Sequence, residues 1–188
     1  ARDRSVAALA ARYSVDVAQA DRVRGTALRI LRDVAGEWDL ASALAEDVLG
    51  WAATLHEIGL DISHSGFQRH GAYVAENADL PGFPRSEQVL LASLISNQRG
   101  SIDNRRLQAL PLAWRGKATA LTIVLRLAVL LNRNRSDQDL PELRAIPGRS
   151  RISLEFPEGW LAGNPLTIAD LDRERGDLAE EGFEAAFR

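Results

Sequence analysis

All three histidines of the chain fall between positions 56 and 70, in Leu55-His56-Glu57-Ile58-Gly59, His64-Ser65-Gly66 and Arg69-His70. Imidazole changes charge near neutral pH and serves as a base, a metal ligand or a phosphate contact. An apolar run ends at His56, Gly59 is placed to stop it, His64 follows a short link, and His70 falls early in the next helix. A helix C-terminus, a turn and a helix N-terminus therefore meet, where uncapped backbone groups concentrate and an anion finds amide donors. The same cluster also fits a buried polar network that pins the turn, and both readings stand at this point.

Arginine is the second chemistry-bearing type. Arg126 is the only charge between Lys117 and Arg133, on a stretch apolar on almost every side. A buried guanidinium needs a partner or a wet cleft; the alternative is a tip that reaches solvent at the helix edge. The sequence reading assigns Glu57 as its partner. Other basic residues, at Arg69-His70, Arg85, Arg99, Arg105-Arg106, Arg115-Lys117 and Arg133-Arg135, sit near expected helix ends. Guanidinium forks grip phosphate oxygens in pairs, so such a trail suits a long polyphosphate; it equally suits a solvated surface.

The elements that must position these groups are mostly helices. Val17, Ala20, Val23, Ala27, Leu28, Leu31 and Val34 recur at helical spacing behind an Asp16 N-cap. Leu44, Val48, Trp51, Ala52 and Leu55 form a stripe started by Ser42. Further helices are expected over 65–77, from Ser86 as a cap with Glu87 in the first turn, and over 117–132 as a central buried helix. Past a polar link at 133–139 the texture changes. Leu143 to Ile146, a Pro147-Gly148 turn and Ile152 to Phe156 read as a hairpin. Asn164-Pro165 reads as cap and first residue of a helix ended by Gly182, and 183–187 as a last strand. The fold class is mostly α, a helical bundle over 1–133 followed by a small α+β unit over 134–188.

Composition sets bounds. The 188 residues hold one medium domain, or one with a small appendage, and 46% apolar residues suffice for a core. A net charge of −3 offers no global field for a polyanion, so any anion site is local. There is no cysteine, which excludes disulfides and thiolate metal sites and fits a cytoplasmic location. No stretch is long and apolar enough to span a membrane. There is also no methionine, so the chain is expected to be part of a longer or processed polypeptide. Trp38, Trp51, Trp114 and Trp160 lie on separate elements and read as core or interface anchors, and RNA is not an expected partner.

The stretch Trp51 to Gly66, continuing through His70-Gly71-Ala72-Tyr73 and Leu80-Pro81-Gly82-Phe83, resembles the C-terminal region of the exopolyphosphatase/guanosine pentaphosphate phosphatase family. The resemblance extends through Leu125 to Asn132, Phe156-Pro157-Glu158-Gly159-Trp160-Leu161, Asn164-Pro165-Leu166 and Asp170-Leu171. It implies a helical domain similar to the HD metal phosphohydrolases. There an early histidine, a His-Asp pair and a late aspartate bind a divalent metal. Carried over residue by residue, those positions hold Gln19, His56, Glu57 and Val129 here, a degenerate site from which no metal is expected. The resemblance also implies that the family's actin-like catalytic domains, with their divalent metal such as Mg, lie outside this chain. The expected role is polyphosphate binding, processivity and homodimerisation within an exopolyphosphatase, with no catalytic residue of its own. The expected phosphate contacts are His64, Arg69, His70, Arg99, Arg126 and Arg133. A nucleotide-directed HD phosphohydrolase, acting on substrates such as guanosine pentaphosphate, and a regulatory scaffold without ligand are the two alternatives.

Overall fold

Asp16 starts helix α2 (Val17–Val34) by accepting the Gln19 amide at 3.1 Å, and Ser42 starts α3 (Ala43–Leu55) by accepting the Ala45 amide at 3.1 Å. Each satisfies an otherwise orphaned amide of a first turn. The computed structural model describes all 188 residues. Around these two helices run α1 (Arg2–Arg12), α4 (Phe67–Asn77), α5 (Arg85–Ser96), the short α6 (Asn104–Gln108) and α7 (Leu112–Leu131). A 3-10 turn at Ile58–Asp61 joins α3 to α4.

α7 is the buried axis of the bundle, with Leu121 to Ala128 all sequestered and α2, α3, α5 and α6 packed around it. It begins at Leu112, after Pro111, so it extends a turn further back than its apolar run; Gly116 does not interrupt it. α5 begins at Arg85 behind Pro84, which leaves Ser86 inside the helix and not at its cap, while Glu87 holds its expected first-turn place.

The chain then forms β1 (Arg144–Gly148) and β2 (Arg151–Glu155), an antiparallel hairpin. The turn is Arg149-Ser150, with Ser150 at φ 52°, and not Pro147-Gly148. Pro147 sits in the ladder opposite Ile152, on an edge strand where a missing N–H is tolerated. α8 (Pro165–Glu180) crosses over to β3 (Glu184–Phe187), which pairs parallel to β2 and gives the order β1-β2-β3. Pro165 is the first residue of α8 as its fixed φ favours. Asn164, however, donates its side-chain amide to the Trp160 carbonyl at 2.7 Å and does not cap.

One continuous apolar core runs from Val6 in α1 to Ala185 in β3. The sheet is also tied to α2 through polar groups. The Ala145 amide donates to Asp33, Arg29 donates to the Leu143 carbonyl, and Trp38 donates its indole N–H to the Gly148 carbonyl. Trp38 meets Phe183 edge-on, Trp51 meets Phe83 edge-on while donating to Asp3, and Trp160 stacks on Phe156. These are anchoring roles. No helix is long and apolar enough to cross a membrane.

Candidate functional site

The three histidines share a turn but not an environment. His56 follows α3 directly and is 2% exposed. Its ring donates from Nδ1 to the Ala53 carbonyl at 2.6 Å, and its own carbonyl accepts the Gln98 amide at 2.6 Å. That is the turn-pinning network. Gly59 in the 3-10 turn backs onto Gly71 of α4, so the two segments touch backbone to backbone. His64 is exposed in the link. Gly66, at φ 64°, opens α4 with no side-chain cap, and His70 bonds from Nε2 to the Ser65 carbonyl at 3.0 Å.

Burial pushes the His56 imidazole below its ordinary pKa; its bond to Ala53 and the charge of Glu57 oppose this, and Arg135 adds to it. The folded state therefore keeps His56 neutral where the unfolded chain takes up a proton, below about pH 6.5. Stability attributable to this group is complete above that pH and falls as the pH drops through the window below it, by up to about 1.4 kcal/mol per unit. Urea midpoints across this window are expected to show the slope in the native sequence and to lose most of it in His56→Gln.

A polar lattice surrounds Gln19 and Glu57, two of the positions that the sequence resemblance likens to an HD metal centre. Gln19, 3% exposed, donates to the Asn132 carbonyl at 2.8 Å and accepts from Arg22 at 2.9 Å. Both oxygens of Glu57 accept from Arg135, at 2.7 and 3.1 Å, and Arg135 also donates to Asp16 at 2.9 Å. These bonds, that to Glu57 foremost, hold the Arg135 guanidinium above its ordinary pKa, and the bond from Arg135 to Asp16 leads in holding Asp16 below the usual carboxylate range. Val129 offers no donor atom. No three of His, Asp or Glu converge anywhere in the chain in a manner that suits a metal ion. With Gln19 and Val129 at two ligand positions and a guanidinium on Glu57, these residues do not fit a divalent cation.

Arg126 does not reach Glu57. Its partner is Glu174 of α8, through a bidentate pair at 2.8 Å for both bonds. Arg126 also donates to the Asn97 carbonyl at 2.8 Å and lies 3.4 Å from Asp177. Arg126 is 2% and Glu174 5% exposed. Glu57 is instead held by Arg135, from the link that follows α7, while α8 brings Glu174 against Arg126.

This pair forms the floor of a cleft of about 400 Å³ between the helical bundle and α8. His64, Gly66, Gln68 and Arg69 line it from the start of α4, Gln98, Arg99 and Gly100 from the end of α5, and Arg126, Val129 and Arg133 from α7 and just beyond. α8 supplies Asp170, Arg173, Glu174 and Asp177. The structure thus brings together His64, Arg69, Arg99, Arg126, Val129 and Arg133. It leaves Gln19, His56, Glu57 and His70 outside the lining. Arg133 pairs with Asp170 at 2.9 Å. Arg69, folded over Gly66, and Arg99, over the Phe67 ring at 4.7 Å, have no carboxylate partner; nor does Arg173. Partial burial, with the nearby charge of Arg133, holds the Arg99 guanidinium below its ordinary pKa.

The α8 wall was missed by sequence reasoning. Its signal was present: Asp170, Glu174 and Asp177 recur at i, i+4 and i+7, beside the apolar stripe of Leu171 and Leu178, and Arg126 and Arg133 repeat at i and i+7.

Residues 1–175 match the family model described as Ppx/GppA phosphatase, domain III. The match takes in the whole helical bundle, the hairpin and the part of α8 that carries Asp170 and Glu174. The chain therefore belongs to the Ppx/GppA phosphatase family, as its domain III.

Proposed function

We propose that this chain is the polyphosphate-holding part of an exopolyphosphatase-type enzyme, and that the cleft between α4, α7 and α8 receives a stretch of the phosphate chain. The observation that supports this most is three arginines, Arg69, Arg99 and Arg173, without carboxylate partners around the uncapped start of α4. Phosphate oxygens take paired donors from guanidinium groups and single donors from first-turn amides. His64 and Arg133 add donors at the rim. Arg126, whose donors are directed to Glu174, Asn97 and Asp177, positions the floor. His70 holds the Ser65 turn from behind.

In this reading residues 1–133 carry the binding wall and 134–188 the facing one. Phosphoanhydride hydrolysis and its divalent metal belong to actin-like domains elsewhere in the polypeptide, and the role of this part is to retain the chain between cleavages. Homodimerisation and a cytoplasmic location belong to the same proposal. The nucleotide-directed HD alternative is disfavoured by the lattice of Gln19, Glu57 and Arg135.

The test is a titration of end-labelled polyphosphate with the 188-residue chain. Binding is expected to be weak and to fall steeply with salt, because exposed charges are screened over about 10 Å at 0.1 M. Arg69→Ala and Arg99→Ala are each expected to weaken it about tenfold, the value of one charged hydrogen-bonding group. No phosphate release is expected. Salt-independent binding, or release of phosphate by this chain alone, would overturn the reading.

A further inference from the structure

The cleft holds carboxylates where an anion site would be expected to exclude them. Asp170 and Asp177 stand on the α8 wall, half-buried, each on an arginine of the opposite wall, at 2.9 Å from Arg133 and 3.4 Å from Arg126. They differ from Glu174, which is sequestered and forms the fixed bidentate pair. A phosphate oxygen approaching Arg133 meets a guanidinium that already carries the charge of Asp170 on one of its nitrogens.

We propose that Asp170 and Asp177 are specificity-determining residues of this cleft: built-in counter-anions, of which Asp170 yields Arg133 to a passing phosphate and takes it back when it leaves, while Asp177 keeps a negative charge beside the buried Arg126. The inference rests on the polyphosphate reading and deepens it. A single small anion must displace a carboxylate for one set of contacts, and gains little. A chain engages Arg69, Arg99 and Arg173 at the same time, and these need no displacement. The affinity of each position stays low, and an arginine that loses its phosphate is not left bare. Such a surface holds a polyanion loosely enough to let it advance.

Counter-ion accounting gives a readout that a merely structural role would not move. Each phosphate neutralised by a free arginine releases a cation condensed on the polyanion, which sets the slope of log K against log salt. When the arginine is taken from Asp170, rising salt weakens the pair that must be broken as well as the contact that replaces it, so the release seen for that arginine is reduced. Removing the carboxylate restores it.

The experiment compares the native chain with Asp170→Asn/Asp177→Asn in the polyphosphate titration over a range of salt, with inorganic orthophosphate as the competing small anion. Glu180→Gln/Glu181→Gln is the charge-matched control; both glutamates are exposed and outside the cleft. The asparagine variant is expected to bind polyphosphate about tenfold tighter at low salt, with a slope steeper by about one. Orthophosphate, ineffective against the native chain, is expected to compete at millimolar concentration. Adding Arg133→Ala to the asparagine variant is expected to abolish the gain, which also guards against a folding artefact. Unchanged affinity and slope in the asparagine variant, with normal binding by the native chain, would overturn this inference alone. Equal gains in the glutamine control would do the same. Absence of binding in every protein would overturn the polyphosphate reading and this inference with it.

Discussion

Arg126→Ala is expected to destabilise the chain by about 3–5 kcal/mol, the cost of leaving one member of a buried ion pair uncompensated. The stranded group is Glu174, 5% exposed and bonded through both oxygens to the lost guanidinium. The Asn97 carbonyl loses its donor at the same time. For a chain of this length the loss corresponds to a fall in melting temperature of roughly 10 °C. Glu174→Ala is expected to cost a similar amount, and the double substitution far less than the sum, because the second change removes the charge that the first exposed. Arg126→Ala with Glu57→Ala, by contrast, is expected to be additive, since Glu57 is held by Arg135. Thermal melts of the three single and two double variants measure this. Additivity for Arg126 with Glu174 would refute the pairing. The pair also joins α7 to α8, so its loss is expected to open the cleft before the bundle melts.

Gly59→Ala is expected to be the most damaging small substitution in the chain. A Cβ at this position would fall within the van der Waals envelope of the Phe67 carbonyl oxygen and 2.7 Å from the Gly71 nitrogen. Both are backbone atoms of α4 and cannot rotate away. The 3-10 turn and α4 would have to separate, and overpacking of this type costs about 3 kcal/mol or more. The consequence extends to function. α4 starts at Gly66-Phe67, and its first turn carries Gln68 and Arg69 into the cleft. Gly59→Ala is therefore expected to lower the melting temperature and to weaken polyphosphate binding together. Gly116→Ala, where nothing lies within 4 Å of an added Cβ, serves as the tolerated control, since alanine also favours a helix. Equal melting temperatures for the two variants would show that the turn and α4 are free to move apart.

Local chemistry was legible in the sequence. Asp16 and Ser42 are caps because their side-chain oxygens reach an amide three residues on, a distance set by the helix itself. Alternation in Ile152 to Phe156 and the Asn164-Pro165 pair marked a strand and a helix start for the same reason: the information is contained within one turn or one pleat. Boundaries were less legible. Pro147-Gly148 carries a turn signal, yet register with Ile152 drew it into β1. Leu112 to Gly116 joined α7 ahead of its apolar run.

What only the tertiary structure decided is which charges meet. The partner of Arg126 lies 48 residues on, and that of Glu57 lies 78 residues on. Neither is implied by spacing along one element. Both depend on how α8 docks across α7 and where the link after α7 carries Arg135. The histidines show the converse: close in sequence, they separate into a buried His56, a cleft-facing His64 and a His70 turned back on its own turn. Short-range hydrogen bonds and periodicity are written into consecutive residues. Ion pairs across a cleft are settled by the apolar core that brings the walls together, and their assignment follows from that packing.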